Sequence, residues 1–361
     1  MQALHIQAGP RALERLRQHG LQAADIAIIP AAAGGPKGLI FQHLDQWLFG
    51  SWLPAAPRQR LLVGASIGAW RMAAACHRDA PAAFARLSRL YCEQQRYPAR
   101  PSPAHVSEVI REVLRQFIGG HEQEIVSHAH YRLVIVAARG ARMLAAPRRA
   151  ASEKAGFAAA ALANAVSRRA LARHLERVLL QDARLATDWL PPAFDAFHTA
   201  VAPLSTANLQ AALLASGTLP LVMEPVRQLP QAPAGTYWDG GLVDYHLALP
   251  YARITDGLVL YPHFGTRIVP GWLDKQLPWR HAARGDMRAW LDNLLLVSPS
   301  PEFLRLLPRQ RLPDRRDFPH YGLDHDRRIG DWKRAIAEGE RLRDALAAFA
   351  EKPDLSQVRP L

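Results

Sequence analysis

Ten residues constrain this chain more than any other stretch: Leu61-Leu62-Val63-Gly64-Ala65-Ser66-Ile67-Gly68-Ala69-Trp70. An apolar run ends in Gly-x-Ser-x-Gly, and a helix-favouring run follows from Ala69 to Cys76. A serine at a tight strand-to-helix turn projects its hydroxyl out of a sheet. The positions two before and two after it have to be small, because strand and helix crowd together there. Gly64 and Gly68 meet that demand, and Ala65 and Ala69 add room. The pattern predicts a nucleophile elbow on Ser66. A flexible turn before an ordinary helix would satisfy the same five letters, so the rest of the chain has to decide.

The chain has 361 residues, of which 49% are apolar and 21% charged. That is enough for one large or two ordinary domains with a real core, and it argues against wholesale disorder. No run of about 18 apolar residues is present, so no membrane span is expected. The first twenty residues are polar, with Arg11, Glu14, Arg15 and Arg17, and lack the apolar stretch of a secretory signal. A cytoplasmic location is expected, with peripheral membrane contact open. The net charge of +13 favours a polyanion such as an anionic lipid surface. The basic residues are scattered and do not interleave with aromatics, so no nucleic-acid partner is expected. Cys76 and Cys92 are read as buried free thiols. No Cys/His cluster has ligand spacing, and no metal is expected.

Taken in order, Asp25–Ile29 predicts the first buried strand. Ala31-Ala32-Ala33-Gly34-Gly35-Pro36-Lys37-Gly38 follows, then a helix from Leu39 to Phe49. A glycine loop between strand and helix suits an anion, because its N–H groups lack partners and the helix dipole adds positive potential. The loop is neither a Walker A nor a dinucleotide fingerprint, and no cofactor is implied. Either it is a plain helix start with Pro36 in the first turn, or Gly34 and Gly35 donate N–H groups to a developing oxyanion.

Further strands are predicted at Arg60–Val63, Tyr131–Ala137, Phe197–Leu204 and Gly257–Tyr261. Helices are predicted at 67–78, 80–95, 106–117, 157–180 and 208–216. Val226–Leu229 and Thr236–Trp238 suggest a hairpin. Beyond Phe264 the pattern reads as helices, at 288–297, 302–307 and 326–350, between proline-rich loops. Strands alternating with helices predict an α/β fold: a three-layer α/β/α sandwich on a mostly parallel sheet. Two regions are expected, a catalytic domain over 1–265 and a mainly helical, proline-rich extension over 266–361 packed on it.

A Gly-Gly-x-Lys-Gly loop after the first strand, Gly-x-Ser-x-Gly after the second and Asp239-Gly240-Gly241 much later stand in one order. This order resembles the patatin-like phospholipase family over roughly residues 25–265. Ala215-Ser216 before Leu219-Pro220 resembles that family's intervening block. The resemblance implies Ser66 as nucleophile, Asp239 as its general base, Gly34 and Gly35 as oxyanion donors, and Lys37 near an incoming anionic group. It implies a lipid or other acyl ester as substrate, in the manner of a phospholipase A, lysophospholipase or esterase. The chain departs from the pattern in three places. Ala33 stands where a third glycine is common, Pro36 has no N–H to donate, and Asp244-Tyr245-His246 replaces an asparagine-proline.

Three rivals stay open on sequence. A Ser-His-Asp hydrolase would recruit His246, His263, His281, His320 or His325, but its elbow normally follows several strands. An acyltransferase or thioesterase could use the same elbow. A non-catalytic protein binding anionic lipid would explain the charge. Asp239 taken alone reads as a hairpin turn, since Asp-Gly between apolar residues is a strong turn signal; beside the elbow and the glycine loop it reads as the base.

Overall fold

Buried runs become the middle of the sheet. In the computed structural model, which describes residues 2–185, 189–191, 193–253, 256–281 and 287–361, ten strands form one sheet. They are β1 (Leu4–Ala8), β2 (Ile26–Ala31), β3 (Arg60–Ala65), β4 (Tyr131–Gly140) and β5 (Leu175–Asp182). The others are β6 (Thr199–Leu204), β7 (Tyr237–Asp239), β8 (Leu258–Pro262), β9 (Leu294–Pro299) and β10 (Val358–Pro360). The order is β10-β1-β9-β8-β2-β3-β4-β5-β6, with β7 paired to β4. The pairings are mostly parallel; β1–β9, β4–β5 and β4–β7 are antiparallel. Every residue of β2, β3, β8 and β9 is buried, as expected of strands covered on both faces.

Alternation along a strand feeds two layers. Leu62, Leu133 and Ile135 pack on one face with helices Ile67–Ala75, Ala80–Glu93, Pro103–Ile118 and Leu209–Gly217. Leu61, Val63, Val134 and Val136 pack on the other with Tyr245, Leu247, Leu249, Tyr251 and Ile268. The fold is therefore a three-layer α/β sandwich. Beyond residue 265 the chain is largely helical, ending in helices His325–Glu338 and Glu340–Glu351, and it also supplies β9 and β10 to the sheet. Cys76 and Cys92 are buried free thiols. Among the described residues no helix is long and apolar enough to cross a membrane.

Three elements differ from expectation. The alanine-rich helix ends at Val166, a short turn spans Arg168–Leu171, and Leu175–Asp182 is a strand. Its Leu175, Val178, Leu179 and Leu180 are buried against β4 and β6, so tertiary pairing overrides helical continuity. The helix expected at 288–297 ends at Trp290, and the stretch then enters β9 at Leu294, a buried Leu-rich strand between β1 and β8. The expected hairpin is reduced to a single bridge from Val226 to Tyr237, because β7 takes its ladder from β4 instead.

Candidate active site

The register on β4 explains why two residues far apart in sequence meet. β3 pairs with β4 from Tyr131 to Val136, and β5 occupies the opposite edge from Val134 to Gly140. β7 pairs with Ala137–Arg139 and so lies on the edge that β3 has vacated. The ends of β3 and β7 therefore face each other along one edge, Ala65 opposite Val136 and Asp239 opposite Ala137. Ser66 leaves the end of β3, and Asp239 is the end of β7. Their side chains meet: Ser66 Oγ donates to Asp239 Oδ2 at 2.7 Å, both residues being buried.

The elbow has the expected crowding. Ser66 sits at φ 57°, ψ −130°, immediately before helix Ile67–Ala75. That conformation is costly for a residue with a side chain and persists only where the surroundings enforce it. A Cβ on Gly68 would lie 1.9 Å from the Ala31 carbonyl oxygen, and one on Gly64 would lie 2.4 Å from Ala69 Cα. Close approach of strand and helix is thus the reason for both glycines. The Ser66 N–H donates to Ser216 Oγ at 2.8 Å, and Ser216 Oγ–H donates to the Val136 carbonyl at 2.6 Å.

Asp239 is held by its own surroundings. Its Oδ1 accepts from the Gly241 N–H at 2.7 Å, and its N–H donates to the Thr218 carbonyl at 2.8 Å. Gly240 is needed for close packing, since a Cβ there would lie 2.1 Å from the Val136 carbonyl oxygen. Burial raises the Asp239 pKa above the ordinary carboxylate value. Arg315, the Ser66 and Gly241 hydrogen bonds, and Lys275 oppose that rise. Among the described residues no histidine is a hydrogen-bond partner of Ser66 or Asp239. His246 instead has its Nδ1 3.0 Å from both the Arg267 carbonyl oxygen and the Val269 nitrogen, where its tautomer selects one of the two bonds, and its ring lies 4.2 Å from that of His263.

The glycine loop stands across the gap. Ala33 N–H donates to the Tyr245 carbonyl at 3.0 Å, which ties the loop to the stretch after Asp239. Gly35 adopts φ 57°, and a Cβ on Gly34 would lie 2.4 Å from the Phe264 ring. Lys37 Nζ lies 4.6 Å above the centre of that ring, and burial lowers its pKa.

Two cavities open on either side of the pair. One, of about 260 Å³, has Gly35, Ser66, Trp70, Tyr91, Val106 and Met223 in its wall. The other, of about 520 Å³, has Gly34, Lys37, Asp239, Tyr245, Lys275 and Arg315. The first is lined mainly by hydrocarbon and rings; the second mixes apolar surface with Lys37, Lys275, Arg315, Arg316, Asp239 and Asp314. Ser66 belongs to the apolar cavity and Asp239 to the cationic one, while Leu219, Val222 and Arg315 border both.

Ser66, Asp239, Gly34, Gly35, Lys37, Gly64, Gly68, Gly240 and Gly241, singled out in sequence, all lie here. Sequence reasoning missed Ser216 as a bridge and missed Lys275 and Arg315 altogether. Lys275 and Arg315 sit outside any motif, among 45 basic residues. Asp244, to which no motif assigns a role, takes a two-pronged ion pair from the buried Arg177 at 2.6 and 2.8 Å. Away from this site, His77, His121 and Glu124 come within metal-ligand reach of one another. Arg86 lies 3.3 Å from His77 Nδ1, however, and its charge opposes a cation there.

Strand, elbow, facing carboxylate and glycine loop on one sheet define a class, the α/β acyl hydrolases. A family model described as patatin-like phospholipase matches residues 34–250, more than half of the chain, and the chain belongs to that family. Lipid acyl hydrolysis is the activity this membership supports in general terms. No curated protein matches the chain.

Proposed function

We propose that the protein hydrolyses acyl esters of lipids through an acyl-enzyme on Ser66, with Asp239 as general base. The carrying observation is the buried 2.7 Å bond from Ser66 Oγ to Asp239 Oδ2. Ser66 Oγ attacks the ester carbonyl carbon while its proton passes to Asp239. The C–O bond to the alcohol then breaks, and Asp239 returns the proton to the departing oxygen. Water attacks the acyl-serine, gives its proton to Asp239, and Ser66 recovers it. The raised pKa of Asp239 makes it a better proton acceptor than a solvated carboxylate.

The Ser66 N–H is already engaged by Ser216. That supports the Gly34–Gly35 stretch as the source of oxyanion donors. The apolar cavity beside Ser66 suits the acyl chain, with each buried methylene adding about 0.8 kcal/mol. The absence of a histidine among the partners of the pair supports a dyad over a Ser-His-Asp triad. The test is a hydrolysis screen of p-nitrophenyl acyl esters and phospholipids, with Ser66→Ala as blank, alongside labelling by a fluorophosphonate. Wild type labels and turns over; labelling that survives Ser66→Ala would move the nucleophile elsewhere.

Peripheral contact with an anionic membrane belongs to the same reading. Leu162 and Val166 are 71% and 79% exposed on helix Ala150–Val166, Trp279 is 62% exposed, and the net charge is +13. Association with anionic vesicles is expected to weaken as salt rises. Binding indifferent to salt would rule out attraction by charge.

A further inference from the structure

Three cations border the reactive pair, and among the described residues none of them forms a salt bridge: Lys37, Lys275 and Arg315. Lys37 stands 4.6 Å above the centre of the Phe264 ring, and Lys275 lies 4.2 Å from that of Tyr245. Both line only the cavity that holds Asp239. Arg315 alone of the three also lines the cavity that holds Ser66. It lies beyond residues 34–250, the stretch that the family model matches, so family membership assigns it no role.

Gly35 has φ 57° and no side chain, and two donor atoms stand close to where one would project. A Cβ there would lie 3.5 Å from Arg315 Nε and 3.7 Å from Tyr91 Oη. The guanidinium is thus set against the glycine loop. Its side chain is exposed, but its backbone is held firmly. Asp314 accepts from the Arg316 N–H at 2.8 Å and pairs with Arg311 at 3.1 Å. Asp317 accepts from the Asp314 N–H at 3.0 Å and from Trp332 Nε1 at 2.9 Å. Both carboxylates are buried, and together they pin the turn carrying Arg315 to helix His325–Glu338. Lys275 is fixed in a similar manner: Asp274 accepts from Asn164, Arg168 and the Gly271 N–H around the turn Trp272–Gln276. The glycine loop itself is short of main-chain donors. Ala33 N–H is bound to the Tyr245 carbonyl, Pro36 has no N–H, and the Ser66 N–H of the elbow is bound to Ser216. From Ala33 to Pro36, only Gly34 and Gly35 are left to donate.

We propose that Arg315 is a catalytic residue, its guanidinium donating to the oxyanion that forms on the ester carbonyl when Ser66 attacks. The inference rests on the hydrolase reading. In the attack the bond from Ser66 Oγ to the carbonyl carbon forms, the carbonyl π pair moves onto its oxygen, and the Ser66 proton passes to Asp239 Oδ2. One negative charge thereby migrates from Asp239 to the oxyanion. Arg315 makes no ion pair with Asp239 but stands against Gly35, so the charge moves towards it. An interaction that strengthens during the step lowers the barrier, whereas one equal in both states does not. On collapse the pair returns to the carbonyl, the bond to the alcohol breaks, and the departing oxygen takes the proton from Asp239. A substrate filling both cavities displaces water from Arg315 and strengthens its field. Burial raises the pKa of Asp239, and Arg315 is the strongest of the charges opposing that rise. The other titratable groups facing Asp239 are Lys275, Tyr91 and Tyr245.

The test uses the whole chain and an uncharged acyl ester, so that no anionic group on the substrate can draw on Arg315. Arg315→Met should lower kcat about 100-fold with little change in KM, the scale of one lost oxyanion donor, and Arg315→Lys should recover about tenfold of that. Thermal melts should match wild type, since the side chain is exposed; Arg315→Gln serves if the methionine variant melts early. With the Arg315 charge gone, the acid limb of kcat/KM should move to higher pH. An alkyl trifluoromethyl ketone adds to Ser66 and creates an oxyanion in the same place. Fluorine NMR should show that adduct ionising at higher pH in Arg315→Met than in wild type. A residue that only supports the fold would move neither. A loss of kcat with the adduct ionising as in wild type overturns the proposal and leaves Arg315 a part in substrate placement alone. Wild type that turns over the ester and takes the ketone, matched in every reading by Arg315→Met, sinks this inference alone. Wild type that does neither sinks the hydrolase reading and this inference with it.

Discussion

The backbone N–H of Ser66 donates to the hydroxyl of Ser216, 150 residues further along the chain. Ser216 donates its own proton to the Val136 carbonyl, so a single hydroxyl joins the elbow to β4. Ser216→Ala leaves a buried N–H without a partner. We expect a loss of about 1–3 kcal/mol in thermal or urea unfolding, and a fall in kcat as the strained Ser66 backbone relaxes. Unchanged kcat with reduced stability would show that the bridge serves folding alone.

Asp239→Asn keeps the shape of the site and removes the base. Ester turnover should fall by roughly 10³–10⁴, as for comparable changes in other serine hydrolases. Stability should not fall with it. A carboxylate whose folded pKa is raised favours the fold in its protonated form, and that contribution is lost as pH rises through the folded value. At neutral pH the charged Asp239 therefore weighs against folding, and the amide removes that cost. A melting temperature well below wild type would contradict this account.

The acid limb of the pH profile follows from the shift at Asp239. Asp239 acts as a base only when ionised, so activity on a neutral ester should drop as pH falls through a value above the usual carboxylate range. Lys275, in the wall of the cavity that holds Asp239, has its pKa lowered to about 7, chiefly by burial. It is faced by Lys37 and Arg315, which lower that value, and by Asp239 and Asp314, which raise it. An acid limb that persists unchanged in Asp239→Asn would assign it to another group.

Two glycines should respond in opposite directions to alanine. Gly68→Ala drives a Cβ into the backbone at Ala31, with no flexible atom to give way. It should cost about 3 kcal/mol or prevent folding. Gly330 lies within helix His325–Glu338, and a methyl group there would meet nothing within 4 Å, so Gly330→Ala should add about 1 kcal/mol. Thermal melts of both variants check the contrast.

How much of the fold and site is legible in the sequence follows from what each signal depends on. The elbow, the glycine loop and Asp239-Gly240-Gly241 are short-range demands of close packing, and a sequence shows them directly. The buried strands β2, β3 and β4 declare themselves as apolar runs. β5 is hidden because an alanine-rich helix runs up to it, and only its ladder to β4 distinguishes Leu175–Asp182 from more helix. β9 is hidden likewise, its leucines suiting either state until β1 and β8 flank it. Lys275 and Arg315 carry no local signature at all. Their meaning comes from Asp274 and Asp314 fixing two turns beside a cavity, a relation between distant parts of the chain.

Lys275 rides on the crossover that leaves β8 and returns at β9, and Arg315 on the excursion between β9 and β10. Neither strand order nor the junction of β3 with β7 depends on what those excursions contain. The charge of that cavity wall is therefore modular: it can drift by exchange of loop sequence while Ser66 and Asp239 stay fixed by the sheet. Relatives with the same elbow but different crossovers would then be expected to share a reaction and differ in what they release from it.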